Sequence, residues 1–460
     1  MKPDFTRRGF VGAGVAAATL APHAQALAGE QLRRTVRAAP STVQLAPNDA
    51  PLTKIWAYGG ATPGTELRYK RGDWLSATLA NDLPQDTTIH WHGLRLPNAM
   101  DGVPGLTQSA VAPGQTFDYG FDLTDAGTYW YHSHLKGWEQ VARGLHGPLI
   151  IEETNPPDVD RDLTLVIDDW RLDAEAQIED SFGHLHDWAH AGRIGNWVTT
   201  NGDVEFKQTV RRGERLRLRL INAANARIFS LSLRGMVGVV AALDGQPLVA
   251  PEPVERVSLT PAQRVDLIVD VTADDEALVI SHERDGTYSL AAFPVSGAVT
   301  PRVDPVASLE QNNVPPLGAL SSATTTRLVM EGGAMGGLAE ARLGDEKLSL
   351  RQLAQRGKVW AFNGRVDPPE APLVSAGRGQ TVIINIVNDT RWPHAMHLHG
   401  HHFRRLGADG APGPLRDTTL VAPGDRANIA FVADNPGAWL LHCHMLEHSA
   451  AGMSTWIEVA

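Results

Sequence analysis

Three stretches of the chain share one alternation of polar and apolar positions: RGDWLSATLAN from Arg71 to Asn81, RGERLRLRLIN from Arg212 to Asn222, and RGQTVIINIVN from Arg378 to Asn388. Each reads as a turn followed by a strand of period two, clearest where Arg215, Arg217 and Arg219 interleave with Leu216, Leu218 and Leu220. A second pattern follows later in each unit. VAPGQTFDYGFDLTDAGTYWYHSH (Val111 to His134) runs in step with VAPGDRANIAFVADNPGAWLLHCH (Val421 to His444), and LTPAQRVDLIVD (Leu259 to Asp270) opens the middle copy. Repeats this long are whole domains rather than solenoid units. The pattern predicts an all-β chain of three consecutive Greek-key sandwich or barrel domains, at residues 38–157, 158–300 and 324–460. The ETNPPDVD segment closes the first domain, and residues 301–323, rich in Pro and Ser and without a sustained period, form a linker.

Composition narrows the class. The 460 residues include 44 Gly and 30 Pro, which suits many short strands and turns. At the N-terminus, Arg7 and Arg8 precede an Ala/Gly-rich run ending in small residues at Ala24 to Ala28. This reads as a twin-arginine export signal over residues 1–28, and places the protein in the periplasm or outside the cell. Removing that segment leaves 38 Lys and Arg against 51 Asp and Glu, a formal charge of −13. So acidic a protein is a poor partner for nucleic acid. No other stretch has the roughly 20 apolar residues that span a bilayer.

The histidines follow the repeat. Nine and eleven residues after Asn81 stand His90 and His92; the same steps from Asn388 reach His397 and His399, and from Asn222 they reach Leu231 and Leu233. Twenty and twenty-two residues after Ala112 come His132 and His134, and the same steps from Ala422 give His442 and His444. Residues two apart on a strand share a face, so each pair projects both imidazoles the same way. If the first and third domains pack about a pseudo-twofold axis, four pairs converge on their interface while the middle domain acts as a spacer. Eight imidazoles without a carboxylate among them suit copper better than zinc or iron, and exceed the needs of one ion.

Cys443 is the only cysteine, so no internal disulfide is open to it. Lying between His442 and His444, it points to the opposite face of their strand. There it can meet His448 and Met453, with His394 as the best candidate for a second imidazole: a His₂Cys site with a weak thioether, the donor set of blue electron-transfer copper. One strand then links two redox sites.

The motifs HWHG, HSH, HAMHLHG and HCHMLEHSAAGM, in that order, resemble the copper-binding motifs of the three-domain multicopper oxidases, the laccase and bacterial copper-oxidase family. The resemblance covers essentially all of the chain after residue 28. It implies cupredoxin-like domains and four coppers that couple one-electron oxidation of a small reducing substrate to reduction of O₂ to water. It also implies a mononuclear copper on His394, Cys443 and His448 with Met453 axial, and a type 2 copper on His90 and His397. A type 3 pair would then be held by His92, His132 and His444 on one ion and by His134, His399 and His442 on the other. Asp101 resembles the family's proton-relay acid, its ordinary reading being an Asp-Gly turn residue. Asp417 resembles the acid that hydrogen-bonds the exposed blue-copper histidine, its ordinary reading being a strand end. Ser449 stands where several bacterial relatives carry Glu, which puts a proton route through that position in doubt.

The expected activity is that of a laccase-like oxidase acting on phenols, aromatic amines or metal ions, as a monomer. The alternatives are a cuprous oxidase for periplasmic copper tolerance and a non-catalytic copper-binding or assembly protein on the same fold. Two motifs stay outside this scheme: HLHDWAHAG, with His184, His186 and His190, read as a solvated loop, and MEGGAMGG, with Met330 and Met335, read as a Gly-rich strand entrance.

Overall fold

The computed structural model describes residues 33–284 and 286–460; the twin-arginine segment lies outside the described residues. Strands dominate, and no α-helix among the described residues is longer than six residues. They form three successive pairs of sheets, as the repeats predict. The first pair has four strands in each sheet, the second six and five, the third nine and five. The architecture is therefore all-β, with three cupredoxin-like domains in series. Among the described residues no helix is long and apolar enough to cross a membrane.

The repeated asparagine explains why the histidines recur at fixed offsets. Asn81, Asn222 and Asn388 end the strands Trp74–Asn81, Arg215–Asn222 and Gln380–Asn388 and are buried. Each side-chain oxygen accepts the backbone N–H two residues on, at 3.0 Å in all three copies. Each amide donates to a carbonyl four or five residues on, and to one about 30 to 37 residues on: Gln85 and Val111, Arg227 and Leu259, Trp392 and Val421. One side chain thus shapes the turn and clamps it to the start of the second repeat pattern, because a buried amide must find all its partners inside the protein.

From that turn the next strand enters in the same register in the outer domains. His90–His92 pairs with Gly127–His132 so that His90 faces His132, and His394–Leu398 pairs with Gly437–Cys443 so that His397 faces His442. In the middle domain the corresponding pair is Leu231 with Ser281. The frame is the same; the donors are missing.

The alternation of Arg215–Asn222 has an unexpected destination. All eight residues are buried, the arginines included. The leucines fill the middle domain's core, while Arg217 and Arg219 face the first domain. Arg217 donates to Glu153 at 2.8 and 2.9 Å and to Asp266 at 2.6 Å, and Arg219 to Asp162 at 2.7 and 2.8 Å and to the Thr128 hydroxyl at 2.9 Å. The linker is equally engaged: Asn312 exchanges hydrogen bonds with the Ala126 backbone, and Arg71 pairs with Glu310 at 2.6 Å.

Arg217→Met should destabilise the protein by about 3 to 5 kcal/mol in denaturant unfolding, since buried Glu153 loses the guanidinium that grips it and Asp266 keeps only the longer contact to Arg219 at 3.3 Å. Burial alone would raise Glu153, but Arg217 outweighs it and holds the carboxyl below its ordinary 4.5. That part of the stability is complete above pH 4.5 and is lost as the pH falls further, so the acid limb of the stability curve should flatten in the variant.

Candidate metal centre

Two donor sets lie on opposite faces of the chain at residues 442–444. On one face, Cys443 Sγ stands 3.6 Å from His394 Nδ1 and 3.8 Å from His448 Nδ1, and the two nitrogens are 3.1 Å apart. All three residues are buried, as is Met453, whose backbone pairs with Cys443 and His448. His394 is oriented by the repeat itself. Its Nε2 donates to Thr390 Oγ1 at 2.9 Å, and that hydroxyl donates to Asn388 Oδ1 at 2.7 Å. His448 Nε2 donates to the carbonyl of His190 at 2.7 Å. Trp360 forms the wall beside both rings, 5.0 and 4.6 Å away between centroids.

On the other face the four pairs gather between the first and third domains, as the offsets predict. His134, His399 and His442 form one group with nitrogen atoms within 4.8 Å of one another; His90, His92 and His132 form a second, and His90, His397 and His399 a third. His444 joins through its Nε2, 3.4 Å from that of His132. Trp130 lies against His132 with a centroid separation of 4.3 Å.

Oxygen acceptors fix which nitrogen points inward in six of the eight rings. His90, His132, His397 and His442 donate from Nδ1 to the carbonyls of Asp101, Ser133, Asp417 and Cys443 at 2.8 to 3.0 Å, and His399 donates from Nδ1 to Asp101 Oδ2 at 2.9 Å. Their Nε2 atoms are thereby left as lone-pair donors. His92 is reversed: its Nε2 donates to Asp417 Oδ1 at 3.3 Å, so Nδ1 is the inward atom.

Asp101 is buried against the cluster, where its expected role puts it. Asp417 needs a correction. It was expected beside the exposed blue-copper histidine, yet it touches His92 and His397. The strand Thr418–Val421 runs antiparallel to His394–Leu398 and pairs Thr418 with His397 and Val421 with His394. Asp417 therefore falls at the cluster end of that ladder. Arg264 of the middle domain grips it with two hydrogen bonds of 2.9 and 2.6 Å. Burial would raise the Asp417 carboxyl, but Arg264 and the two imidazoles prevail and hold it well below the usual carboxylate range.

The donor atoms fit a metal. Nε2 of His90 and His397 and Nδ1 of His92 are buried without any hydrogen-bond partner. Nε2 atoms of His399 and His442 face each other at 3.2 Å, an arrangement of lone pairs that a cation relieves. Burial, followed by neighbouring imidazoles, holds His132, His399, His442 and His444 well below their ordinary value and His134 at about 3, so the rings are neutral donors. Nitrogen-rich and sulfur-containing sets of this kind suit copper.

Other parts of the site have no signature in the repeats. His190 belongs to the HLHDWAHAG motif, which forms the short helix Leu185–Ala189 and then crosses over His448 rather than looping free. Met330 is core, and Met335 is exposed on a turn whose Ala334 N–H donates to Ala189 O at 2.6 Å. A pocket of about 260 Å³ reaches the cluster past Lys136, Trp138, Leu446 and Ser449, ending on His132, His134 and His442. Ser449 Oγ lies 3.3 Å from His442 Nδ1.

Three consecutive stretches, residues 40–156, 161–293 and 344–460, match family models described as multicopper oxidase. The chain belongs to the multicopper oxidase family and is an oxidoreductase; the family implies copper, O₂ as acceptor and a reducing substrate. It is 30% identical to multicopper oxidase MmcO of Mycobacterium tuberculosis over 99% of this chain and 97% of that protein. With Laccase-1 of Botryotinia fuckeliana it shares 31% identity over 86% of this chain and 77% of the other. Lac15 from a marine microbial metagenome superposes with a TM-score of 0.77 at 41% identity, covering 93% of this chain and all of Lac15.

Burial pushes the Cys443 thiol up to about 12 in the metal-free protein. A thiol-specific reagent at neutral pH should therefore leave native, metal-free protein unlabelled and modify one thiol once denaturant is added. Mass spectrometry of the two samples checks this.

Proposed function

We propose that the protein is a laccase-like oxidase that takes single electrons from phenols, aromatic amines or low-valent metal ions and delivers them to O₂. The observation that carries this reading is the strand Gly437–Cys443 and its continuation. Cys443 meets His394 and His448 on one face, and His442 and His444 belong to the imidazole cluster on the other.

His394, Cys443 and His448 would hold a mononuclear copper with Met453 as axial donor. His90 and His397 would hold a type 2 copper. His92, His132 and His444, and His134, His399 and His442, would hold a type 3 pair, for four coppers in all. When bound, copper supplies one-electron redox chemistry at the sulfur-containing site and the binding and reduction of O₂ at the cluster. The chain supplies the rest. Peptide bonds from Cys443 to its two neighbours form the shortest covalent connection between the donor sets. The pocket past Ser449 offers O₂ and water a way in. Asp101, within 2.9 Å of His399 Nδ1 and 3.2 Å of His90 Nδ1, holds both rings and is placed to pass protons to the cluster.

Donors for every copper of the scheme are present, which disfavours a non-catalytic binding protein. The narrower cuprous-oxidase reading draws support from Met335, an exposed thioether on the turn bonded to the helix beside His448. Arg7 and Arg8 support export by the twin-arginine machinery to the periplasm or beyond. The matched domains form one self-contained set of donors, in keeping with a monomer.

O₂ uptake by the copper-loaded protein with a phenol, with Cu(I) and with Fe(II) tests the reading. Cys443→Ser should lose the blue colour and bring uptake with all three to background; unchanged uptake would refute it, and uptake with Cu(I) alone would favour the narrower form. Asp101→Asn should keep the colour while kcat falls about 10²- to 10⁴-fold, the usual range for a lost proton-transfer group.

A further inference from the structure

We propose that Arg264, from the domain that contributes none of the paired histidines, is a positioning residue for the imidazole cluster: it fixes Asp417 so that His92 turns Nδ1 inward. The inference rests on the reading above that His92 and His397 bind cluster copper.

Arg264 is fully buried where all three domains meet. Its Nε donates to the Thr128 carbonyl of the first domain at 3.1 Å, and Nη1 donates to Ala262 O of its own domain at 3.1 Å. Nη1 and Nη2 together grip the Asp417 carboxylate of the third. With acceptors on three sides, the guanidinium plane cannot turn, and it sets the plane of the carboxylate. Asp417 passes that constraint on to His92 through its carboxylate. Its Oδ1 accepts from His92 Nε2, and its main-chain oxygen accepts from His397 Nδ1 at 2.9 Å. One arginine of the middle domain thus sets, through a carboxylate of the third, the acceptor of a ring of the first.

The glycine of HWHG belongs to the same device. Gly93 has φ +87°, and a methyl group there would overlap Arg264 Nη2 and lie 2.7 Å from Asp417 Oδ2. The motif needs a residue without a side chain because the guanidinium occupies that space.

The test compares wild type, Arg264→Leu, Arg264→Lys and the double variant Arg264→Leu with Asp417→Leu after copper loading. The readouts are the blue absorption of the Cys443 site, total copper content and the electron paramagnetic resonance signal of the cluster. Blue absorption should survive throughout. Cluster affinity for copper should fall about 10- to 100-fold in Arg264→Leu, as for lost partners of metal ligands generally, and less in Arg264→Lys, which keeps the charge without the fork. The double variant removes the unpaired charge and so guards against simple misfolding, yet its cluster should stay weak because His92 lacks its acceptor. Wild-type copper content and resonance signal in Arg264→Leu would overturn the proposal. So would recovery of the cluster in the double variant, which would reduce the pair to charge neutralisation; if the single variant fails to fold, the double variant decides alone. A wild-type protein that takes up only the blue copper would instead overturn the reading on which this one stands.

Discussion

An extended strand turns successive side chains to opposite faces, and the rest of the molecule depends on that alternation at residues 442 to 444. It separates a thiol from two imidazoles by single peptide units while sending them into different environments. Cys443 looks into the third domain, where its sulfur meets His394 and His448. His442 and His444 look out toward the first domain. A helix could not do this over so short a span, because its neighbours in sequence diverge by only 100° and its donors would compete for one surface.

The alternation alone would leave half a cluster. The first domain completes it, since the same asparagine-clamped turn and the same strand register present His90 and His132 in mirror of His397 and His442. An interface between two rigid sandwiches brings donors together before any metal arrives. The second coordination layer is also largely in place, because six of the eight rings are already tied by one nitrogen to an oxygen. Such a site gives up little conformational entropy on binding, and its cost lies in the neutral, poorly solvated imidazoles that face one another. The middle domain keeps the frame and spends its strand on something else: arginines where a solvent-facing alternation would put them, turned onto the first domain.

Much of this was legible in the chain. The repeats announced three β-domains, and the equal offsets from Asn81 and Asn388 announced paired histidines, because register along a strand is a local property that spacing preserves. The meeting of Cys443 with His448 was legible for the same reason. Asp417 was misjudged because its neighbours depend on how two strands pair, which spacing within one strand does not specify. Likewise Arg215, Arg217 and Arg219 look identical on a solvated face and on a domain interface, since both demand period two. His190 and Arg264 were out of reach. Their contacts with His448 and Asp417 span 258 and 153 residues and cross domain boundaries, and neither lies in a position the repeat distinguishes.

The two residues missed most completely share a logic. His190 lends a backbone carbonyl to His448, and Arg264 lends a guanidinium to Asp417, so the domain without paired histidines reaches the surroundings of both donor sets. A pure spacer would need only to hold the outer domains apart, and the arginine network facing the first domain already does that. The two further contacts fix ring orientation and carboxylate orientation, which set how a donor atom is aimed rather than whether it is present. Losing such a contact leaves every ligand in the sequence and still blurs the site. The middle domain is therefore best understood as the part of the fold that aims the donors the other two domains supply.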